Sequence, residues 1–148
     1  MRTLGNILWH FPCFGFLTAI GNFVFGLLLI ITIIGSPIGF GLIELAKFQM
    51  FPFSKIMIAG ERIDDKRSIV RRIFEAIIML IYLPIGLILA LANIVQIVLL
   101  MITIVGIPAA IVLAKSLGTY FNPIGKKCVS RIYAEELERA EARSKIYQ

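Results

Sequence analysis

The sequence predicts an all-α membrane protein made by internal duplication of one helical hairpin: a long spanning helix, a Gly-x-Pro turn and a short return or re-entrant helix. Three observations carry that expectation. The first is composition, since 59% of the 148 residues are hydrophobic and the mean hydropathy is +0.91, well outside the range of a water-soluble domain. The second is the distribution of charge, which is absent from Thr3 to Ile43 and again from Ala76 to Ala114. Either interval exceeds the roughly 20 residues that cross a hydrocarbon core about 30 Å thick, and as one straight helix it would reach about 60 Å. Each must therefore turn. The third is a phrase that occurs twice, as Ile31-Thr32-Ile33-Ile34-Gly35-Ser36-Pro37 and as Ile102-Thr103-Ile104-Val105-Gly106-Ile107-Pro108, 71 positions apart.

The same offset, with no gap, superposes Gly15 on Gly86, Ala19 on Ala90, Asn22 on Asn93, Leu42 on Leu113, Pro52 on Pro123 and Lys55 on Lys126. Apolar matches are cheap in a membrane chain, so the claim rests on Gly, Asn, Pro and Lys holding one register. Four segments follow: a first membrane hairpin over 1–56, a cytoplasmic segment with a basic amphipathic helix over 57–73, a second membrane hairpin over 74–127 and a cytoplasmic helical tail over 128–148.

Thr3 to Phe11 holds Trp9 and His10 and is stopped by Pro12. Its apolar run outlasts a signal-peptide h-region and meets no small-x-small cleavage site, so it is expected in the mature protein as a short interfacial helix. Cys13 to Ile34 is the first spanning helix. Gly15, Ala19 and Asn22 share one of its faces, and Gly86, Ala90 and Asn93 share the matching face of the second. Small residues admit close helix approach, and an amide in lipid seeks a partner, so the two faces are read as a packing seam about a pseudo-twofold axis. An aqueous path lined by Asn22 and Asn93 is the functional alternative.

Gly35 with Pro37, and Gly106 with Pro108, make the repeat turns. The return limbs, Ile38 to Phe51 and Ala109 to Phe121, are short for full crossings, at about 21 Å for the first. They carry the ionisable residues Glu44, Lys47 and Lys115, which are costly in lipid and so are paired or face water. Superposition puts Glu44 and Lys115 at equivalent positions with opposite signs, which predicts an ion pair between them; the alternatives are Lys47 snorkelling to the interface and a polar constriction in a pore.

Lys55 to Ile63 is read as a small β-hairpin turning at Ala59-Gly60. Asp64 or Asp65 then caps a helix from Lys66, with Ile69, Val70, Ile73 and Phe74 opposite Arg67, Arg71 and Arg72, which suits anionic headgroups. Pro84 is expected to bend this lead-in into the second spanning helix, as Pro12 does in the first. Val129 to Tyr147 reads as a solvated helix, with Glu135 and Arg139 one turn apart.

Formal net charge is +6, gathered in the central segment and the tail. Were each repeat to cross once, those two basic segments would face opposite sides, against the positive-inside rule; if each goes in and returns, both termini are cytoplasmic and the repeats run parallel. That charge needs no nucleic acid to explain it. Cys13 and Cys128 support neither a disulfide nor a metal site. His10 is the one histidine and the aspartates sit in a charged segment, so no catalytic triad forms; Gly35, Gly39 and Gly41 are interrupted by Pro37 and make no nucleotide loop. Neither enzyme activity nor a cofactor is expected.

The opening Met1-Arg2-Thr3-Leu4-Gly5-Asn6-Ile7-Leu8-Trp9, the doubled Ile-Gly-x-Pro turn and Phe121-Asn122-Pro123-Ile124-Gly125-Lys126 together resemble the YccF-type bacterial inner-membrane proteins. The resemblance covers nearly the whole chain and departs at Ser36, where an apolar or bulkier residue is expected. It implies a small multipass inner-membrane protein with two copies of the inner membrane component domain and no activity to transfer. The functional expectation is a homo-oligomeric assembly of ion-channel or pore type, because four short limbs enclose little by themselves. A non-conducting scaffold or accessory subunit docking an unidentified cytoplasmic partner is the alternative.

Overall fold

The computed structural model of the protein describes residues 4, 6–7, 15–63 and 69–146. Two helix pairs, α1 (Gly15–Ile31) with α2 (Ser36–Met50) and α3 (Ile69–Ile102) with α4 (Ile107–Phe121), are followed by strands β1 (Lys55–Ala59) and β2 (Lys126–Ser130), and α5 (Arg131–Ile146) closes the chain. Expectations for Trp9, His10, Pro12, Cys13, Asp64, Asp65, Lys66 and Arg67, and for the side chain of Arg71, lie outside the described residues.

Both helix pairs are turned by the same device. Thr32 donates its hydroxyl to the Leu29 carbonyl at 2.7 Å and accepts the Gly35 N–H at 3.2 Å. Thr103 does the same with Leu100 at 2.9 Å and Gly106 at 3.1 Å. Each threonine thereby closes the end of one helix and caps the start of the next turn. Pro37 and Pro108 stand in the first turns of α2 and α4, where a missing N–H is harmless. Gly35 and Gly106 have ordinary right-handed φ values of −79°. Their glycine is required by space, because a Cβ on Gly35 would lie 2.5 Å from Thr32 Oγ1 and one on Gly106 would collide with Thr103 and the Leu100 carbonyl.

Within the first pair α1 and α2 run antiparallel and close together. A Cβ on Gly26 would sit 2.9 Å from the Gly39 carbonyl oxygen, and one on Gly39 would press on Ile30 and on Gly26. Helix α3 is 34 residues long, about 51 Å at 1.5 Å per residue. Its stretch Arg72–Ile102 is long and apolar enough to cross a membrane, whereas Phe16–Ile31 and Ile107–Phe121 are shorter apolar helices. Pro84, where an elbow is expected, lies inside α3, which continues through it as one helix. Pro84 stands on the exposed face, while Gly86, just beyond it, lies against the Tyr120 backbone, so α4 braces the helix where the hydrogen-bond ladder is interrupted. The boundaries drawn from sequence at 56 and 73 fall inside β1 and α3.

The small hairpin expected over Lys55–Ile63 does not form either. After Ala59 the chain enters a 3₁₀ turn, Gly60–Arg62, and β1 pairs instead with β2. Residues 126–130, read as loop and tail helix, are that second strand. Its register is antiparallel, Lys55 opposite Ser130, Met57 opposite Cys128 and Ala59 opposite Lys126. Met57 and Cys128 are themselves 71 apart, so the pairing is self-complementary about their midpoint, in the manner of an isologous interface. The flanking bonds obey the same relation: Gly60 N–H to the Gly125 carbonyl, and Arg131 N–H to the Ser54 carbonyl. A strand edge that finds the equivalent edge of the other half has no use for a local hairpin.

The core lies between the return helices. Leu42 and Leu45 of α2 and Leu113 and Ser116 of α4 are among the most deeply buried side chains, and Gly41 abuts the Pro123 backbone so closely that no Cβ fits. The long helices α1 and α3 sit outside and expose apolar rows such as Leu17, Val24 and Leu28, and Leu80, Ile88 and Val95, a surface suited to lipid. The seam is therefore re-partnered. Ala19, Asn22, Ala90 and Asn93 are buried as their small, polar face requires, but α1 and α3 barely touch, and those faces turn to the return helices.

Candidate functional site: a groove with a polar floor

Between α1 and α3 lies a groove of about 380 Å³. Its walls come in pairs 71 positions apart: Thr18 and Leu89, Gly21 and Ala92, Asn22 and Asn93, Phe25 and Gln96. It is therefore lined by matching positions of the two halves of the chain, with Tyr120 of α4 at its floor.

The floor is a network of four buried polar side chains. Asn22 Nδ2 donates to Gln49 Oε1 at 2.7 Å and to the Tyr120 hydroxyl at 3.0 Å. Gln49 Nε2 donates to the same hydroxyl at 2.8 Å, and Asn93 Nδ2 approaches it at 3.5 Å. Gln49 is fully buried, Asn93 and Tyr120 are 3% exposed and Asn22 7%. Gln49 and Tyr120 stand in the last turns of α2 and α4, so the network lies directly beneath the β ribbon. In a dry setting such groups must satisfy one another, which fixes the four helices in one arrangement.

The proton count is instructive. A phenol oxygen offers two lone pairs and one proton, yet three amide groups point at Tyr120, and Asn93 Oδ1 has no partner among the described residues. Exchanging the oxygen and nitrogen of the Asn93 amide balances the set: Tyr120 accepts from Asn22 and Gln49 and donates to Asn93. In either arrangement one polar atom of Asn93 is unused by the protein. Tyr82, in the same core cluster as Tyr120, also keeps a buried hydroxyl without a partner among the described residues.

The charged candidates are placed elsewhere. Glu44 meets Lys47 at 2.6 Å through Oε1 and accepts the Cys128 N–H at 2.9 Å through Oε2. The pair expected between Glu44 and Lys115 does not form. The two positions sit in different surroundings: Glu44 reaches β2, while Lys115 lines a separate cavity beside Ile56, Met57 and Ile58 of β1. Among the described residues no three His, Cys, Asp or Glu side chains are grouped to hold a metal.

Gln49 and Tyr120 escaped sequence reasoning. Their signal was available in the 71-residue offset, which aligns an amide with a phenol at the ends of two otherwise apolar helices. The two positions differ in residue type, so they did not register as a repeat.

The family model of the YccF inner membrane component domain matches residues 4–55. One copy is detected, over the first helix pair, and not the two that a duplication leads one to expect. No curated protein and no solved structure matches the chain. The first third of the chain is thus similar to an inner membrane component domain of the YccF type.

Proposed function

We propose that this is a multipass inner-membrane protein, made by internal duplication of a helical hairpin, whose copies assemble so that the groove between α1 and α3 becomes a polar pathway of ion-channel or pore type. One observation carries the reading: a groove lined in matched pairs from both halves of the chain keeps a polar floor, with a polar atom of Asn93 unused among the described residues, and Thr18 and Gln96 add polar groups to its wall. The groove opens sideways, so a neighbouring subunit is needed to close it. Duplication is supported by the matched threonine turns and the self-complementary ribbon.

We infer that both termini and both basic segments face the cytoplasm. In support, Asn6 bonds Ser54 and the Phe53 N–H, and α5 leaves directly from β2, so these described residues share the ribbon end. Purified protein in liposomes tests the function by ion flux above that of empty vesicles. Absence of flux from vesicles in which the protein is oligomeric rejects the pathway.

The second reading, a scaffold docking a cytoplasmic partner, is favoured by α5. Arg62 holds it through a two-pronged bond to Glu141, at 2.9 and 2.7 Å, while Ile132 and Tyr133 remain exposed.

A further inference from the structure

The duplication has produced two cavities where the return helices meet the ribbon, and their charges differ. One, of about 270 Å³, lies beside Gly41 and Glu44 of α2 and Lys126 of β2; the other, of about 260 Å³, lies beside Val112 and Lys115 of α4 and Lys55 of β1. These three positions correspond in pairs at the offset of 71. In the first cavity Glu44 is consumed internally, by Lys47 and by the Cys128 N–H. A lysine cannot accept an N–H, so Lys115 cannot make the equivalent contact to β1.

The second cavity thus collects Lys55, Arg62, Lys115 and Arg131 against the single carboxylate of Glu138. Arg62 is occupied by Glu141 and stands 3.9 Å from Glu138, and Arg131 is 4.0 Å from Glu135. Lys55 lies over the Phe51 ring, 5.4 Å from its centre, and Lys115 has no ion pair among the described residues. Lys55 and Lys115 are left to an outside anion, and Arg131, at 4.0 Å from the Glu135 carboxylate, is only loosely held away from one. Phe48 and Val112 supply an apolar wall on the side of the membrane helices, and the volume falls below the roughly 300–1,000 Å³ of ordinary small-molecule sites.

We propose that this cavity binds a phosphate group, carried by an anionic phospholipid headgroup or present as free phosphate, between Lys115, Lys55 and Arg131. Convergent basic side chains at the cytoplasmic end of membrane helices provide the charge for a phosphodiester, and the arginine adds a planar, directional donor set. The site is independent of the groove and of whether the protein conducts.

Thermal unfolding of the full chain in detergent tests it, with phosphatidylglycerol, phosphatidylcholine, or inorganic phosphate against chloride at equal ionic strength. A bound probe raises the transition in proportion to its occupancy. Phosphatidylglycerol is expected to raise it where phosphatidylcholine does not, and Lys115→Glu and Lys55→Gln are each expected to weaken that response about fivefold or more. Lys126→Gln, in the counterpart cavity, is expected to retain it. The same mutation-sensitive shift with inorganic phosphate assigns the site to free phosphate as well, and its absence there assigns it to lipid. No shift with either probe, or a shift undiminished in both Lys115→Glu and Lys55→Gln, overturns the proposal.

Discussion

Gln49 donates to the hydroxyl of Tyr120 at 2.8 Å, and the two residues are 71 positions apart, each in the last turn of its return helix. Two copies of one residue facing each other across a twofold axis must be self-complementary. Two positions of one chain carry no such restriction, so an amide and a phenol here do what two identical side chains do less well. Asn22 joins them by a 2.7 Å bond to Gln49, whereas its equivalent Asn93 stands 3.5 Å from Tyr120.

The two asparagines should consequently differ in worth. Asn22→Leu removes a donor to Gln49 Oε1 and another to Tyr120, and is expected to destabilise by about 1–2 kcal/mol on the scale of hydrogen bonds within membranes. Asn93→Leu is expected to cost less than about 0.5 kcal/mol, because it breaks one long contact and removes an unpaired oxygen. Unfolding in mixed micelles measures both, and equal losses would contradict the network.

Glu44 provides a second comparison. Glu44→Gln combined with Lys47→Met should be non-additive by a few tenths of a kcal/mol, as for neighbouring charges on one helix face. Combined with Lys115→Met it should be additive within about 0.3–0.5 kcal/mol, the margin for independent sites. Coupling to Lys115 would restore the cross-repeat pair that the structure separates.

How far the fold was legible follows from which interactions are local. The turns were readable because Thr, Gly and Pro act within seven residues, and each acts through its own chemistry. The burial of Ala19, Asn22, Ala90 and Asn93 was readable from helical spacing, but their partners were not, since spacing says which residues share a face and not what lies opposite. The ribbon was misplaced for a similar reason. Lys55 to Ala59 carries strand character, yet its mate is 71 residues away, and a sequence scan favours the nearest turn. The continuity of α3 through Pro84 was not readable, because it depends on an exposed position with α4 packed beside the following turn.

The ribbon register is itself open to test. Cys128 sends its N–H to Glu44 and not to Met57, which makes Met57 and Cys128 a non-hydrogen-bonded pair, the kind with the closer Cα atoms, at about 4.5 Å. That separation is within disulfide range. With Cys13→Ser to remove the other thiol, Met57→Cys should oxidise to an internal disulfide with Cys128. Burial pushes the Cys128 thiol up to about 11, with Lys55 and Lys47 opposing the shift and Glu44 adding to it, so the reaction should accelerate as pH rises toward that value. Intermolecular dimers in place of the internal bond would contradict the register.

Attachment of α5 should depend on acid. The Arg62 hydrogen bond holds Glu141 below its ordinary value, so the folded carboxylate binds its proton less readily than the unfolded one. The contribution is complete above the usual range near pH 4.3 and is lost as pH falls through the depressed value. Proteolysis within α5 should quicken below roughly pH 4. Glu141→Gln should remove this acid-dependent part, leaving a faster rate at neutral pH.

The most direct measurement concerns Gly21, where a side chain would meet open space within the groove. With Cys13→Ser and Cys128→Ser as background, Gly21→Cys in liposomes should lose its ion flux on addition of a water-soluble thiol reagent. Leu28→Cys, on the lipid face of the same helix, should keep it. Flux that is unaffected at Gly21, or blocked equally at Leu28, would contradict a pathway through the groove.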